Sequence, residues 1–566
     1  MAYDLVIKNG MVIDGSGMGR YRADVGVKDG VITRMGRIAE SADEVIDAEG
    51  HVVTPGFVDG HTHMDAQIFW DQLGSCSCYH GVTTAVMGNC GFTIAPCREE
   101  EVDFVFRNLE RAEDISRNAM LQGIQWQWET FPEYLDVLDT LPKGINYAGY
   151  IGHSALRTYV MGERAFDEEA GEDDLKTMAA HVTEAIQAGA IGFSTSRSPS
   201  HLTSDDRLVA SRVAPFSEVQ ALVRAMGKVG AGIFQLAMER GDSEYMKDFY
   251  NRLADLSEET GRPVTFGSLT RRKSPGQWRE LYDIIEKRNQ TGSRIFTQVH
   301  SREINSILSF ETSTPFDTWD VWRDVRKLPL EGQIAAMRDP ETKARMVEVA
   351  SRPYQGPEVV GAEARPPEWD IFYALDKVAL PHPTLADLAQ SRGVSPAEAM
   401  IDIALESDLK AFFRQPLANE NQDDALALMR HPDSCVTFSD SGAHVSQIMD
   451  SSLQTHLLSH WVRQEEAFTL EQAIRMITYD TATRWGFHDR GLLREGMAAD
   501  IVVLDPAKVG AEMPVVVNDL PGGAKRLKQF SIGIKATVVG GQTVLKDNQH
   551  TGALPGQLLR GPLTRA

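Results

Sequence analysis

Cysteine is scarce in this chain: five residues among 566, Cys76, Cys78, Cys90, Cys97 and Cys435. The count is odd and no Cys-X-X-Cys pair occurs. That excludes a disulfide framework and a four-thiolate zinc module, and it points to a reducing compartment. No apolar run reaches the roughly 20 residues that a membrane-crossing helix needs. A basic excess is missing as well. Lys and Arg number 57 against 80 Asp and Glu, a formal charge of −23, so nucleic acid and anionic membranes are not expected partners. Repeats and low-complexity tracts are absent. The first residues enter a strand pattern instead of a basic segment followed by an apolar one, which makes a cytoplasmic location the expectation.

What is present is a hydrophobic fraction of 42% spread over a chain too long for one simple domain. Both ends read as short strands. Residues 4–14 suggest a hairpin turning at Asn9-Gly10, and residues 23–32 a second one turning at Asp29-Gly30. Residues 44–53, 500–504 and 534–545 continue the style. A small β-sandwich domain built from both termini, 1–54 with 490–550, is therefore expected, with 551–566 as a C-terminal tail.

The middle alternates. Eight apolar stretches, beginning with Phe57-Val58 and ending with Cys435 to Phe438, are separated in several places by helical patterns such as Asp173 to Gln187, Phe216 to Val229 and Met246 to Thr260. This α/β alternation predicts a distorted (β/α)8 TIM barrel over 55–489, with its chemistry at the C-terminal ends of the strands. A doubly wound sheet is the structural rival. Residues 98–140 and 301–430 exceed a minimal barrel and are expected as insertions over its mouth.

Candidate chemistry gathers where strands end. His61 and His63, one residue apart after Phe57-Val58, project the same way from an extended segment and suit one metal ion. Cys90, between glycines 88 and 91, is either a thiolate ligand or a small residue filling a tight turn. Asp440 follows the last strand as a metal ligand and proton acceptor, or as a turn-forming Asp, with His444 beside it as a helper or an ordinary loop histidine. His153 is suited to polarising a carbonyl, and Arg157 to holding a substrate carboxylate or an internal ion pair. Ser194, Arg197 and His300 are further polar side chains at strand ends, read as substrate-binding candidates, while Arg271-Arg272-Lys273 either receives a substrate carboxylate or, the reading preferred, is a solvated surface cluster.

Taken together these stretches resemble the amidohydrolase superfamily. Leu5 to Gly10, Pro55 to His63, and Gly491 to Asp500 followed by Ile-Val-Val-Leu-Asp carry that likeness, and it runs nearly end to end. Gly81 to Gly91, Gly152 to Arg157, and Ser439-Asp440 before Ser-Gly-Ala-His are similar to the D-aminoacylase branch, the N-acyl-D-amino-acid deacylases. The resemblance implies a barrel with a terminal β-sandwich and hydrolysis by metal-activated water. It also implies His61 and His63 as first-strand ligands, Cys90 as the branch's cysteine ligand, and Asp440 as ligand and general base. The branch's further histidines on the fifth and sixth strands have no counterpart in Phe234 to Glu239 or Thr265 to Thr270. One divalent ion, Zn²⁺ by expectation, is therefore favoured over two.

The expected activity is cleavage of a C–N amide bond in a small N-acyl substrate. Two alternatives stand beside it. The same fold acts on a lactone, ester or carbamate, or as a decarboxylase; or the site has decayed and the chain is a non-catalytic binding protein. The partner is a small molecule, and the resemblance is compatible with a homo-oligomer.

Overall fold

Eight short runs of apolar and β-branched residues form one sheet whose neighbours are all parallel and follow chain order. They are β1 (Phe57–Asp59), β2 (Val82–Met87), β3 (Asn146–Gly152), β4 (Gly192–Ser196), β5 (Ile233–Ala237), β6 (Val264–Gly267), β7 (Ile295–Val299) and β8 (Ser434–Val436). This is a computed structural model, and it describes residues 3–353, 367–378 and 380–564. The strands are buried along nearly their whole length, as expected when helices cover the outer face of a parallel sheet. The covering helices are amphipathic and deliberately ended. Glu172–Ala188, Phe216–Val229 and Ser243–Thr260 each stop at a glycine in the left-handed region, Gly189, Gly230 and Gly261. Asp242 caps the third, its carboxylate accepting the Tyr245 N–H at 2.9 Å. Among the described residues no helix is long and apolar enough to cross a membrane.

The sheet curls, but β1 and β8 are only three residues each and do not pair along their lengths. The seam closes just beyond them. The Asp440 N–H donates to the His61 carbonyl at 3.1 Å, and the His63 N–H donates to the Ser441 carbonyl at 2.7 Å, a parallel bridge centred on Thr62 and Ser441. Gly442 makes this possible. Its φ is +96°, and a Cβ there would stand 2.5 Å from the His63 carbonyl oxygen.

The termini build two facing sheets around a shared core that includes Leu5, Val25, Val53, Ile501, Val503 and Val538. Val52–Pro55 pairs antiparallel with Ile501–Leu504, joining the two ends of the chain directly. The Asp29-Gly30 hairpin forms, both turn residues having positive φ. The hairpin expected at Asn9-Gly10 does not. Tyr3–Lys8 pairs with Asp24–Lys28 and Ala42–Asp47 in one sheet, whereas Met11–Val12 pairs with Tyr21–Arg22 and Val52–Pro55 in the other. Asn9, at φ 65°, turns the chain from one layer to the next, and Gly10 lies where a Cβ would collide with Val53.

The two insertions differ in kind. Residues 98–140 contribute Val102–Glu110 and Arg117–Gly123 before the helix Phe131–Thr140. The 301–430 region is a subdomain with its own core around Phe310, Phe316, Trp322, Met400 and Phe413. It comprises a three-stranded antiparallel sheet and, among the described residues, six helices; residues 354–366 lie outside the described residues. The C-terminal stretch is more than a tail. Gly556 donates to Lys143, Gln557 accepts from Tyr147, Leu559 donates to Tyr147 and Gly561 donates to Gly189, so it straps the N-terminal end of the barrel.

Gly442→Ala is expected to destabilise the protein by about 1–3 kcal/mol, the cost of one forced backbone conformation. Urea unfolding checks this, and a midpoint equal to that of the parent chain contradicts the tight seam.

Candidate metal centre

The seam places the first and last strands side by side, and their side chains converge. His63 Nε2 lies 3.0 Å from Asp440 Oδ1, and His61 Nε2 lies 3.5 Å from the same oxygen. Cys90 Sγ is 3.4 Å from His61 Nε2. Four lone-pair donors from three strand ends therefore meet, as the sequence led one to expect for His61, His63, Cys90 and Asp440. His61, His63 and Cys90 form one trio with donor atoms within 4.8 Å, and His63, Glu113 and Asp440 a second. Such spacings match ligands about 2.0–2.3 Å from a shared ion.

The backbone around these groups is strained. Cys90, Phe438, Asp440, His444 and Asp114 all have positive φ without being glycine. Hydrogen bonds hold the Cys90 turn. Its N–H donates to Gln235 Oε1 at 2.6 Å, and Ser194 Oγ accepts from the Gly91 N–H while donating to the Gly88 carbonyl. His61 Nδ1 meets Gln298 Oε1 at 2.5 Å, and the Gln298 amide donates to Thr265 Oγ1. With its amide oxygen thus facing the ring, Gln298 requires the proton on Nδ1 and leaves the Nε2 lone pair for an ion. The fifth and sixth strands, lacking histidines, supply Gln235 and Thr265 to orient Cys90 and Gln298.

The electrostatics call for a cation. Burial pulls His61 down to about 3 and keeps it neutral. Burial also opposes charge on His63, yet Glu113, Asp440 and Cys90 outweigh it and hold the ring well above the usual imidazole value. Burial raises the Asp440 carboxyl, but the His63 and His61 rings override it and keep Asp440 ionised far into acid. Cys90 is pushed up to about 11 by burial. Glu113 rises to about 8, burial leading, with Asp440 and Asp65 adding to it against His63. Positive charge is thus drawn onto the atoms an ion would share. His63 Nδ1 is buried without a hydrogen-bond partner among the described residues. The donor set fits a divalent ion of the zinc type: two imidazoles, a thiol and a carboxylate.

These groups form the floor of a cavity of about 830 Å³. Leu236, Met238, Leu269 and Phe438 form an apolar wall, Ile304 and Leu417 of the 301–430 insertion complete it, and Arg240 and Arg271 stand at the rim. His444 also lines the cavity, and burial holds it near 4.

Four polar residues expected at the site lie elsewhere in the structure. His153 is fully buried behind the sheet, bonded through Nε2 to Glu218 at 2.8 Å and through Nδ1 to Thr195. Arg157 is an internal ion pair with that same Glu218 at 2.6 Å. Arg197 is consumed by Glu239 and the Ala214 carbonyl. His300 Nδ1 accepts from the Arg302 N–H and does not line the cavity. Ser194 braces the Cys90 turn instead of facing substrate. In each case the strand end does carry a polar side chain, but a partner on the next helix or loop claims it. Two residues of the site escaped the sequence reading. Glu113 comes from an insertion with no strand signal. His201 follows β4 and lines the cavity, with Nδ1 2.7 Å from Ser196 Oγ and its ring against Phe92.

Known proteins resemble this chain over nearly its whole length. The chain is 26% identical to an N-acyl-D-aspartate deacylase of Alcaligenes xylosoxydans xylosoxydans, covering 98% of this chain and 95% of that protein. It is also 26% identical to a D-aminoacylase of the same organism, covering 98% and 97%. The crystal structure of N-acyl-D-glutamate deacylase from Bordetella bronchiseptica, complexed with zinc and a phosphonate mimic of the tetrahedral intermediate, superposes with a TM-score of 0.66 at 23% identity, covering 99% of this chain and all of that one. The Amidohydrolase family model matches residues 44–545, from the sandwich through the whole barrel and back into the sandwich, and the chain therefore belongs to the amidohydrolase family.

Proposed function

We propose that the protein is a metal-dependent hydrolase that cleaves the amide C–N bond of a small N-acyl-amino acid. The observation that carries this reading is the gathering of His61 Nε2, His63 Nε2, Cys90 Sγ and Asp440 Oδ1 on the cavity floor. Two relatives that span 98% of the chain are named as deacylases acting on D-amino-acid derivatives, which supports N-acyl-D-amino acids as the substrate class. We assign one ion, zinc, to His61, His63 and Asp440 with Cys90 as the fourth ligand. Gln235 and Thr265, serving as orienting groups on β5 and β6, support one ion over two.

When bound, such an ion supplies Lewis-acid polarisation of a carbonyl and activates water for attack near neutral pH. Of the two carboxyl groups on the floor Asp440 is the one held ionised, and it takes the proton of the attacking water and delivers it to the departing nitrogen. His201 takes the carbonyl-polarising part expected of His153. Ser196 Oγ accepts from the Ser198 N–H, so its own hydroxyl hydrogen is available to His201 Nδ1. With the Ser196 hydroxyl donating to Nδ1, the ring proton sits on Nε2 as a donor, and burial pulls the ring down to about 3 and keeps it neutral. The apolar wall shared with the 301–430 insertion excludes water from the acyl group and strengthens every charge on the floor.

Asp440→Asn should leave the fold intact and lower kcat towards N-acyl-D-amino acids by at least about 10²–10⁴-fold. Near-normal turnover removes Asp440 from the role. His201→Ala is expected to cost about 10²–10³-fold in kcat with bound metal unchanged, whereas His153→Ala should act on stability, since it leaves Glu218 and Thr195 buried with one partner fewer. A panel of N-acyl-D- and N-acyl-L-amino acids, lactones and carbamates reads all three variants. Dialysis against a chelator is expected to abolish activity, and one equivalent of zinc to restore it; activity indifferent to chelation contradicts the metal reading.

A further inference from the structure

Glu113 is the feature of this site that neither the motifs nor the barrel strands account for. It follows the helix Val102–Glu110, its N–H still bonded to the Leu109 carbonyl at 3.0 Å, and it is only 2% exposed. Its Oε2 lies 3.7 Å from His63 Nε2 and 3.9 Å from His444 Nε2. These separations exceed a hydrogen bond, whose N···O distance is about 2.7–3.2 Å. They match two ligands of one ion: bonds of about 2.1 Å at a tetrahedral angle put donor atoms roughly 3.4 Å apart. Asp440 completes the trio with His63 and Glu113, its donor atom within 4.8 Å of theirs. Two carboxyl groups brought this close in a buried floor hold either a proton or a cation between them, and the cation lets both ionise.

The chain holds Glu113 there by its backbone. The Glu113 carbonyl accepts the His444 N–H at 2.6 Å. The next residue, Asp114, at φ 50°, accepts from Ser446 Oγ at 2.7 Å and Gln447 Nε2 at 3.0 Å. The insertion is thereby stitched to the very loop that carries Asp440 and His444.

We infer that Glu113 is a ligand of the ion held by His63 and Asp440, so that the 98–140 insertion docks onto the barrel through the metal. The inference rests on the single-ion reading above and puts Glu113 in the fourth-ligand place given there to Cys90, whose sulfur groups with His61 and His63 but not with Glu113 or Asp440. It makes occupancy of the site and order in the insertion one equilibrium, because a metal that binds only the docked arrangement stabilises it.

The test uses the full chain stripped of metal and titrated with Zn²⁺ in competition with a chromophoric chelator, with amide hydrogen exchange followed over residues 102–123. The parent chain should bind one zinc and slow exchange over 110–117. Glu113→Gln should bind zinc about 10–100-fold more weakly and lose that protection, while His63→Ala should lose both. If the parent binds one zinc and Glu113→Gln matches it within twofold, Glu113 is not a ligand and the reading of the site stands without it. If the parent binds no zinc, both fall. Should Glu113→Gln not fold, exchange in the parent decides: amides at 110–117 that do not respond to zinc overturn the inference.

Discussion

Two backbone hydrogen bonds carry more of this molecule than any side chain does. They run from Asp440 to His61 and from His63 to Ser441, and they close a barrel whose terminal strands are too short to pair on their own. Because the ligand-bearing residues are themselves the residues of the bridge, the geometry of the centre follows from sheet register. A slip of one residue would turn His61 and His63 away from the cavity. The positive φ angles at Phe438, Asp440 and Gly442 are the local cost, tolerated because the surrounding barrel determines the backbone on both sides.

Around that bridge the chain spends its polar residues on orientation. Gln298 sets the tautomer of His61, Thr265 sets Gln298, Gln235 and Ser194 hold the Cys90 turn, and none of these four needs to touch substrate. Strands without histidines are therefore not idle. They keep a single cluster rigid in a buried, low-dielectric place where a misplaced charge is expensive. The 301–430 subdomain contributes differently. It packs around an apolar core of its own, and it lends the cavity part of its wall together with Glu368 and Glu420.

How much of this could be read from residues alone depended on how local the signal was. The eight strands and most barrel helices were legible because buried parallel strands are short continuous apolar runs and covering helices repeat every 3.6 residues. His61 and His63 were legible for the same reason: alternation along an extended segment is a local rule. Asn9-Gly10 misled because a turn pair is equally at home where a chain changes layers, and pairing partners are not encoded in the turn. Arg157 makes the internal ion pair that was one of its two readings, whereas His153, Arg197 and His300 misled for a complementary reason. They do sit at strand ends, but Glu218 and Glu239, far along the chain, decide whether a basic side chain faces the cavity or a neighbour. Glu113 and His201 belong to loops, where no periodicity reports direction.

The pairing of Val52–Pro55 with Ile501–Leu504 has a bearing on how such a chain comes to be made. Residues separated by more than four hundred positions must meet before either sheet of the sandwich is whole, and loops of that length close slowly. During synthesis the first strands emerge with their backbone edges unsatisfied and wait for partners still inside the ribosome. Throughout that interval the nascent polypeptide presents open β edges to its neighbours, so its hazard of self-association is greatest before translation ends and falls away once the last strands arrive.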